Sequence, residues 1–555
     1  MVGGRDLTLH AFLWRAEHLY PDQELVARTH DGMHRYTYAE FADRTRQLAS
    51  VLDAAGIGTG DRVATFSWNN HWHHEAYFGV PCLGAQLHMI NILLPKGHVQ
   101  HIVRDAGDRV VLIDPTMLET FEAAYVDDPS AFESVEQYVV MGDAVPETSL
   151  APVVDYESFV ADGDPGFVFP EVDEDQPAGL CYTSGTTGMP KGVEYTHKMY
   201  WAHTMALLTG EVGLGQGDVE LTIVPMFHVS GWGRPFATIA SGAKQVHPGP
   251  APSPADLAGL IESEGVTQTA GVPTVWMGLL EYAREHEPDL SSVEYVLSGG
   301  AATPEGLIRD YREQLGLEIV SGYGLTETTP VTHVATLKPA LAALEGPARD
   351  AIRAHSAGLS LPGIEFRVVD DEGDEVPWDD ASLGELWMRG PWVTTEYYNA
   401  PETTRAAITD DGWFRTGDIV RVSPDGYVDV VDRQGDLVKS GGEWISSVEL
   451  ENTIMANPNV REAAVVAVPH ERWDERPAAF VVPTDDAVDR DALEAELVEA
   501  IEAEYPSWWT PDAFVYIEEI PKGSTGKFEK ATLREEYVDE ALEAAVAESA
   551  PGQRS

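Results

Sequence analysis

The residues best suited to chemistry lie in one short run, Tyr182-Thr183-Ser184-Gly185-Thr186-Thr187-Gly188-Met189-Pro190-Lys191-Gly192. It holds four small hydroxyl side chains, three glycines and one lysine. Exposed backbone N–H groups and hydroxyls in such a loop suit phosphate oxygens, and a lysine adds a point charge. The run is not a Walker A loop, because no hydroxyl follows Lys191 to reach a magnesium ion. A nucleoside triphosphate is the expected ligand.

A second run, Ser321-Gly322-Tyr323-Gly324-Leu325-Thr326-Glu327-Thr328, offers an aromatic face between glycines, then oxygen ligands from Thr326 and Glu327. Magnesium takes one or two carboxylates with phosphate oxygens and water, which Glu327 can begin to supply. In Phe414-Arg415-Thr416-Gly417-Asp418 a carboxylate on a turn can accept two ribose hydroxyls. Further glycine-rich runs are 298–302, 439–446 and 523–527. The chain has nine lysines, and Lys191, Lys439 and Lys527 fall inside such runs.

Together these motifs resemble the adenylate-forming superfamily of acyl-CoA synthetases, peptide-synthetase adenylation domains and luciferases, over roughly residues 8–540. The resemblance implies that Thr183, Ser184, Gly185, Thr186, Thr187, Gly188 and Lys191 bind the phosphates. It places Gly300, Ala301, Ser321, Gly322, Tyr323 and Thr326 at the adenine, and Thr183 with Glu327 at Mg²⁺. Asp418 and Arg433 are expected at the ribose and phosphates, Lys527 at the adenylation step, and Lys439 with Trp444 at the thioester step. In one place the chain departs from the pattern. Two residues after Arg433, where relatives commonly carry Lys or Asp, stands Gly435. That position therefore has no side chain to offer the nucleotide.

The run Val224-Pro225-Met226-Phe227-His228-Val229-Ser230-Gly231-Trp232 resembles the gate segment of bacterial long-chain fatty acyl-CoA synthetases. The resemblance implies that Trp232 closes an acyl tunnel, with His228 near the acyl carbonyl and Val229 on the wall. Residues 221–240 contain no Asp or Glu, so no carboxylate there can pair a substrate ammonium. A neutral apolar acid is expected, and 269–276 is expected to add a further wall.

The elements around these motifs follow from periodicity. An amphipathic helix is expected over 39–56 and strands over 62–66 and 110–114, with strand–helix alternation resuming over 221–334. An acidic surface connection is expected over 141–176, a β-rich stretch over 363–431 and an acidic helix over 490–503. The fold class is α/β. The resemblance implies a large N-terminal AMP-binding domain (1–431) of layered α/β subdomains plus a β-rich subdomain, followed by a hinge linker (432–437). A small mobile α+β domain (438–540) and an acidic tail (541–555) complete the chain.

The 555 residues carry 36 basic and 92 acidic side chains, a net charge of -56. Such a surface repels itself at low salt, and at molar salt the screening length shrinks to about 3 Å. A halophile's cytoplasm is the expected setting, and nucleic acid is excluded as a partner. No apolar run reaches the ~18–20 residues of a membrane span, and no secretory signal is visible. Cys82 and Cys181 lack metal spacing and are expected reduced and packed. The functional expectation is an ATP- and Mg²⁺-dependent fatty acyl-CoA synthetase using coenzyme A. The rivals are a medium-chain, branched or aromatic acyl-CoA ligase and an enzyme loading a carrier protein. A homodimer is implied by the resemblance alone.

Overall fold

The computed structural model describes residues 6–183, 189–210, 212–354, 357–440, 443–470, 472–485, 488–522 and 528–534. The chain divides into two compact units, Met1–Phe366 with Met388–Phe414, and Arg367–Trp387 with Arg415–Ser555. The second unit thus begins upstream of the segment 432–437.

The first unit holds two large sheets. The seven-stranded one runs in the order Val153–Asp155, Gln137–Val140, Val110–Ile113, Arg62–Phe66, Gln86–Met89, Pro177–Tyr182, Gly192–Thr196. Its strands are parallel except for the last pair, an antiparallel hairpin. The nine-stranded one runs Leu359–Ser360, Val331–Val334, Glu318–Gly324, Tyr295–Gly299, Gln268–Gly271, Val219–Thr222, Lys244–His247, Glu24–Thr29, Gly32–Thr37. Its interior is parallel and its edges antiparallel. Apolar runs such as Val110-Val111-Leu112-Ile113 are buried throughout, because helices cover both faces of a parallel sheet. The helices His10–Leu19, Tyr38–Ala54, His71–Leu83 and Arg234–Ser241 contribute to one core shared with strands of both sheets. Thr37 opens the second of these with a capping box to Glu40, which fixes its start.

The expected connection over 141–176 is more structured than its composition implies. It contains the strand Val153–Asp155 and the helix Tyr156–Ala161. Tyr156 is buried there, donating to Glu75 at 2.7 Å. Cys82 and Cys181 are free and buried.

The second unit takes most of a four-stranded sheet, in the order Glu365–Val369, Gly384–Arg389, Phe414–Val422, Val428–Arg433. It adds a sheet built on the long hairpin Val460–His470 and Asp474–Pro483. The helices Ser447–Met455 and Arg490–Glu504 pack on that hairpin through Leu450, Ile454, Leu493, Leu497 and Ile501. The expected acidic helix over 490–503 thus forms, with Asp489 as its N-cap. The tail 541–555 lies outside the described residues. No helix among the described residues is long and apolar enough to cross a membrane.

Candidate active site

The phosphate run is the connection of the hairpin Pro177–Tyr182 and Gly192–Thr196. Its base is closed twice: the Thr183 N–H donates to the Lys191 carbonyl at 2.9 Å, and the Lys191 N–H donates to Thr183 Oγ1 at 3.1 Å. Ser184, Gly185, Thr186, Thr187 and Gly188 lie outside the described residues. Lys191 is exposed, with its ammonium 6.0 Å from the centre of the Tyr397 ring. On that same tyrosine the hydroxyl donates to Glu327 Oε1 at 2.6 Å. Tyr397 is held in place by its neighbour, since Tyr398 N–H bonds the Gly192 carbonyl at 2.8 Å. The Thr394 N–H also donates to the Glu327 carbonyl at 2.7 Å. The lysine of one motif and the carboxylate of the other therefore meet on one aromatic side chain. Sequence reading missed Tyr397, because no local pattern in Glu396-Tyr397-Tyr398-Asn399 marks it.

Glu327 sits in a single turn, Thr326–Thr328, directly after the strand Glu318–Gly324. Gly324 is dictated by packing there: a Cβ would stand 1.9 Å from the Pro330 carbonyl oxygen. Ser321 and Gly322 pair in register with Ser298 and Gly299, so the run containing Gly300 and Ala301 borders Tyr323. Ala301 is exposed, Tyr323 half-buried against His333. The Ser321 hydroxyl is buried and, among the described residues, has no hydrogen-bond partner.

A carboxylate steadied on one oxygen is suited to a magnesium ion carried in on a nucleotide. Among the described residues no group of three or more His, Cys, Asp or Glu forms a metal cage.

The gate segment is clamped at its start. Asn69 Nδ2 donates to the Thr222 and Val224 carbonyls, both at 2.7 Å, and its Oδ1 accepts the Met226 N–H at 2.7 Å. The chain then makes a left-handed turn through Val229, Ser230, Gly231, Trp232 and Gly233, with φ of 41°, 46°, 55°, 53° and 73°. Each non-glycine residue in that conformation costs roughly 1–2 kcal/mol. Gly233 meets His203 so closely that a Cβ would lie 2.6 Å from its ring. Arg234 follows, fully buried, and binds Glu220 through Nε at 3.0 Å and Nη2 at 2.5 Å. Burial pushes the Glu220 carboxyl up and Arg234 opposes that shift. Glu220, the carboxylate just before the segment, is thereby committed to Arg234 rather than to a ligand.

His228 is half-buried and Val229 buried. Trp232 is 8% exposed, and its indole edge lies 3.0 Å from where a Gly299 Cβ would be. The wall expected over 269–276 needs correction at one residue. Trp276 is fully buried in the core beneath the nine-stranded sheet, its indole N–H donating to the Gly271 carbonyl at 3.3 Å.

In the second unit Asp418 is 3% exposed and pairs across the sheet with Arg433, whose Nε lies 3.0 Å from its carboxylate. Asp432 accepts from the Ser447 N–H at 2.8 Å and hydroxyl at 2.5 Å. Burial raises its pKa, and Lys530 counters. Lys530, which sequence alone leaves open as a solvated residue, is buried and bonds Glu451 at 2.7 Å. Burial works to lower its pKa, but Glu451 and Asp432 hold it raised. Gly435 has open space around a hypothetical Cβ and no left-handed backbone, so nothing local demands glycine. Lys439 pairs with Trp444 across a short hairpin, its ammonium 5.3 Å from the ring centre, and its N–H donates to Glu475 at 2.9 Å. Both side chains are exposed. Lys527 lies outside the described residues.

Residues 13–398 match the AMP-binding enzyme family and residues 449–527 its C-terminal domain. The chain belongs to the AMP-binding, adenylate-forming enzymes. It is 45% identical over 535 residues to a long-chain-fatty-acid–CoA ligase of Thermus thermophilus, covering 96% of each chain. It is 39% identical over 514 residues to a 3-methylmercaptopropionyl-CoA ligase of Ruegeria pomeroyi, covering 92% of this chain and 93% of that one. Among solved structures it is similar to the anthranilate CoA ligase AuaEII in complex with anthranoyl-AMP. The TM-score is 0.85 at 25% identity, covering 97% of this chain and 98% of that one.

Proposed function

We propose that the protein is an ATP-dependent, AMP-forming fatty acyl-CoA ligase. A fatty carboxylate oxygen attacks the α-phosphorus of ATP, and pyrophosphate leaves. The thiol sulfur of coenzyme A then attacks the acyl carbon of the adenylate, giving up its proton, and AMP leaves. Activation gives the acyl carbon a good leaving group, so no covalent protein nucleophile is needed. The observation that carries the reading is the meeting of Lys191 and Glu327 on Tyr397 at the base of the phosphate hairpin.

Mg²⁺ held by Glu327 and Thr183 would withdraw charge from the triphosphate. Lys191 binds phosphate oxygens, Tyr323 with Gly300, Ala301 and Gly322 borders the adenine, and Asp418 with Arg433 takes the ribose. Lys527 neutralises the two anions that must approach during adenylation, where a positioned charge counts most. The domain 438–540 turns about 432–437 to bring the Lys439 and Trp444 face into the thioester step.

The acyl end is apolar. Residues 221–240 carry no carboxylate, and Glu220 is engaged by Arg234. His228, Val229 and Trp232 line that end. The Ruegeria relative favours a second reading, a ligase for shorter or substituted acids. The acidic surface suits a salt-rich cytoplasm, and assembly is as a homodimer.

The test is AMP release dependent on ATP, Mg²⁺ and coenzyme A, across C2 to C18 acids in molar KCl. Maximal turnover on long chains is expected; a maximum at C4 to C8 replaces the long-chain reading with the second. Absence of pyrophosphate–ATP exchange with every acid would end both.

A further inference from the structure

The left-handed turn Val229–Gly233 is an unfavourable backbone shape, and three of its residues are not glycine. Something must hold it. The Tyr200 hydroxyl meets the Ser230 hydroxyl at 2.8 Å, and both residues are buried. Tyr200 reaches that point only because position 179 is glycine, where a Cβ would stand 2.1 Å from the Tyr200 oxygen. Gly179 lies on the strand that runs into the phosphate hairpin. The Tyr195 ring packs against the Tyr200 ring, with the two centres 5.4 Å apart. The Tyr195 hydroxyl donates to the Thr326 carbonyl at 2.8 Å, beside Glu327. Contacts thus run from Thr326 through Tyr195 and Tyr200 to Ser230.

We propose that Tyr200, backed by the Tyr195 ring, is a positioning residue for acyl selection: through Ser230 it holds the left-handed turn, and with it the seat of Trp232 on Gly299, against the strand that feeds the phosphate loop. The proposal rests on the acyl-pocket reading of Val229 and Trp232. Loss of one hydroxyl leaves a buried partner unsatisfied, so the turn relaxes toward ordinary backbone and Trp232 leaves its seat. The two tyrosines differ in one respect. The Tyr200 hydroxyl bonds Ser230 of the turn, whereas the Tyr195 hydroxyl holds the carbonyl of the nucleotide motif.

Tyr200→Phe and Ser230→Ala each remove one oxygen from the same bond. Each is expected to change the ratio of kcat/KM for C16 against C8 acid about fivefold, comparable with the discrimination a pocket gains from one methylene. KM for ATP in pyrophosphate exchange stays within about twofold. The double variant shows no more than the larger single effect. Tyr195→Phe keeps the ring that packs on Tyr200 and moves KM for ATP rather than the ratio. An unchanged ratio, a uniform fall in kcat across chain lengths, or multiplying single effects would overturn the proposal while leaving the ligase reading intact. A wild-type protein that activates no acid overturns both.

Discussion

Two charged groups, each set in a glycine-rich motif, are held in opposite ways. The Glu327 carboxylate is half-buried and fixed on one oxygen by Tyr397, itself anchored to the strand after the phosphate loop. The Lys439 ammonium is exposed over the Trp444 ring, and what is anchored is its backbone, through Glu475. The first group loses little freedom when a ligand arrives, because the protein has already ordered it. The second keeps its rotamers until a ligand or another surface orders it. On the proposed reading Glu327 meets a multiply charged nucleotide and benefits from such preorganisation, while Lys439 serves one of two steps and must be able to leave.

That contrast can be broken from either side. Lys527→Ala is expected to give the largest effect, lowering adenylate formation about 10²–10³-fold while thioester formation from supplied acyl-AMP falls far less. Pyrophosphate exchange and single-turnover thioester assays separate the two, and equal losses would remove the division of labour. Tyr397→Phe keeps the ring near Lys191 but frees Glu327. Adenylation should drop about tenfold, the worth of a hydrogen bond to a charged group, with a raised Mg²⁺ requirement. Unchanged Mg²⁺ dependence would show that Glu327 needs no support. Gly435→Asp should be the mildest, within about twofold in both half-reactions, because the backbone and the space there accept a side chain. A larger loss would mean that the glycine serves a conformation other than this one.

The sequence was legible where function depends on local backbone. The runs 182–192 and 321–328 stand out because the glycines and hydroxyls expected of a phosphate site fall close together in sequence. Strands such as 110–114 show as apolar runs because both of their faces are covered. Tyr397, Tyr195, Tyr200 and Asn69 were not legible. Their partners lie 70 residues away for Tyr397, 131 for Tyr195, 30 for Tyr200 and 157 for Asn69 with Met226. Trp276 misled because a tryptophan near a strand end looks the same whether it faces a pocket or the core.

By itself the amino-acid order determined the adenylating chemistry and the α/β layering, since each is written in residue types at short spacing; the apolar acyl end is its proposal. Only the tertiary structure decided how those pieces are held: Lys191 and Glu327 sharing one tyrosine, Glu220 engaged by Arg234, Lys530 paired with Glu451, and a left-handed turn bonded by the Tyr200 hydroxyl. The physical reason is that a hydrogen bond or ion pair between distant segments exists only once the sheets have brought them within 3 Å or so.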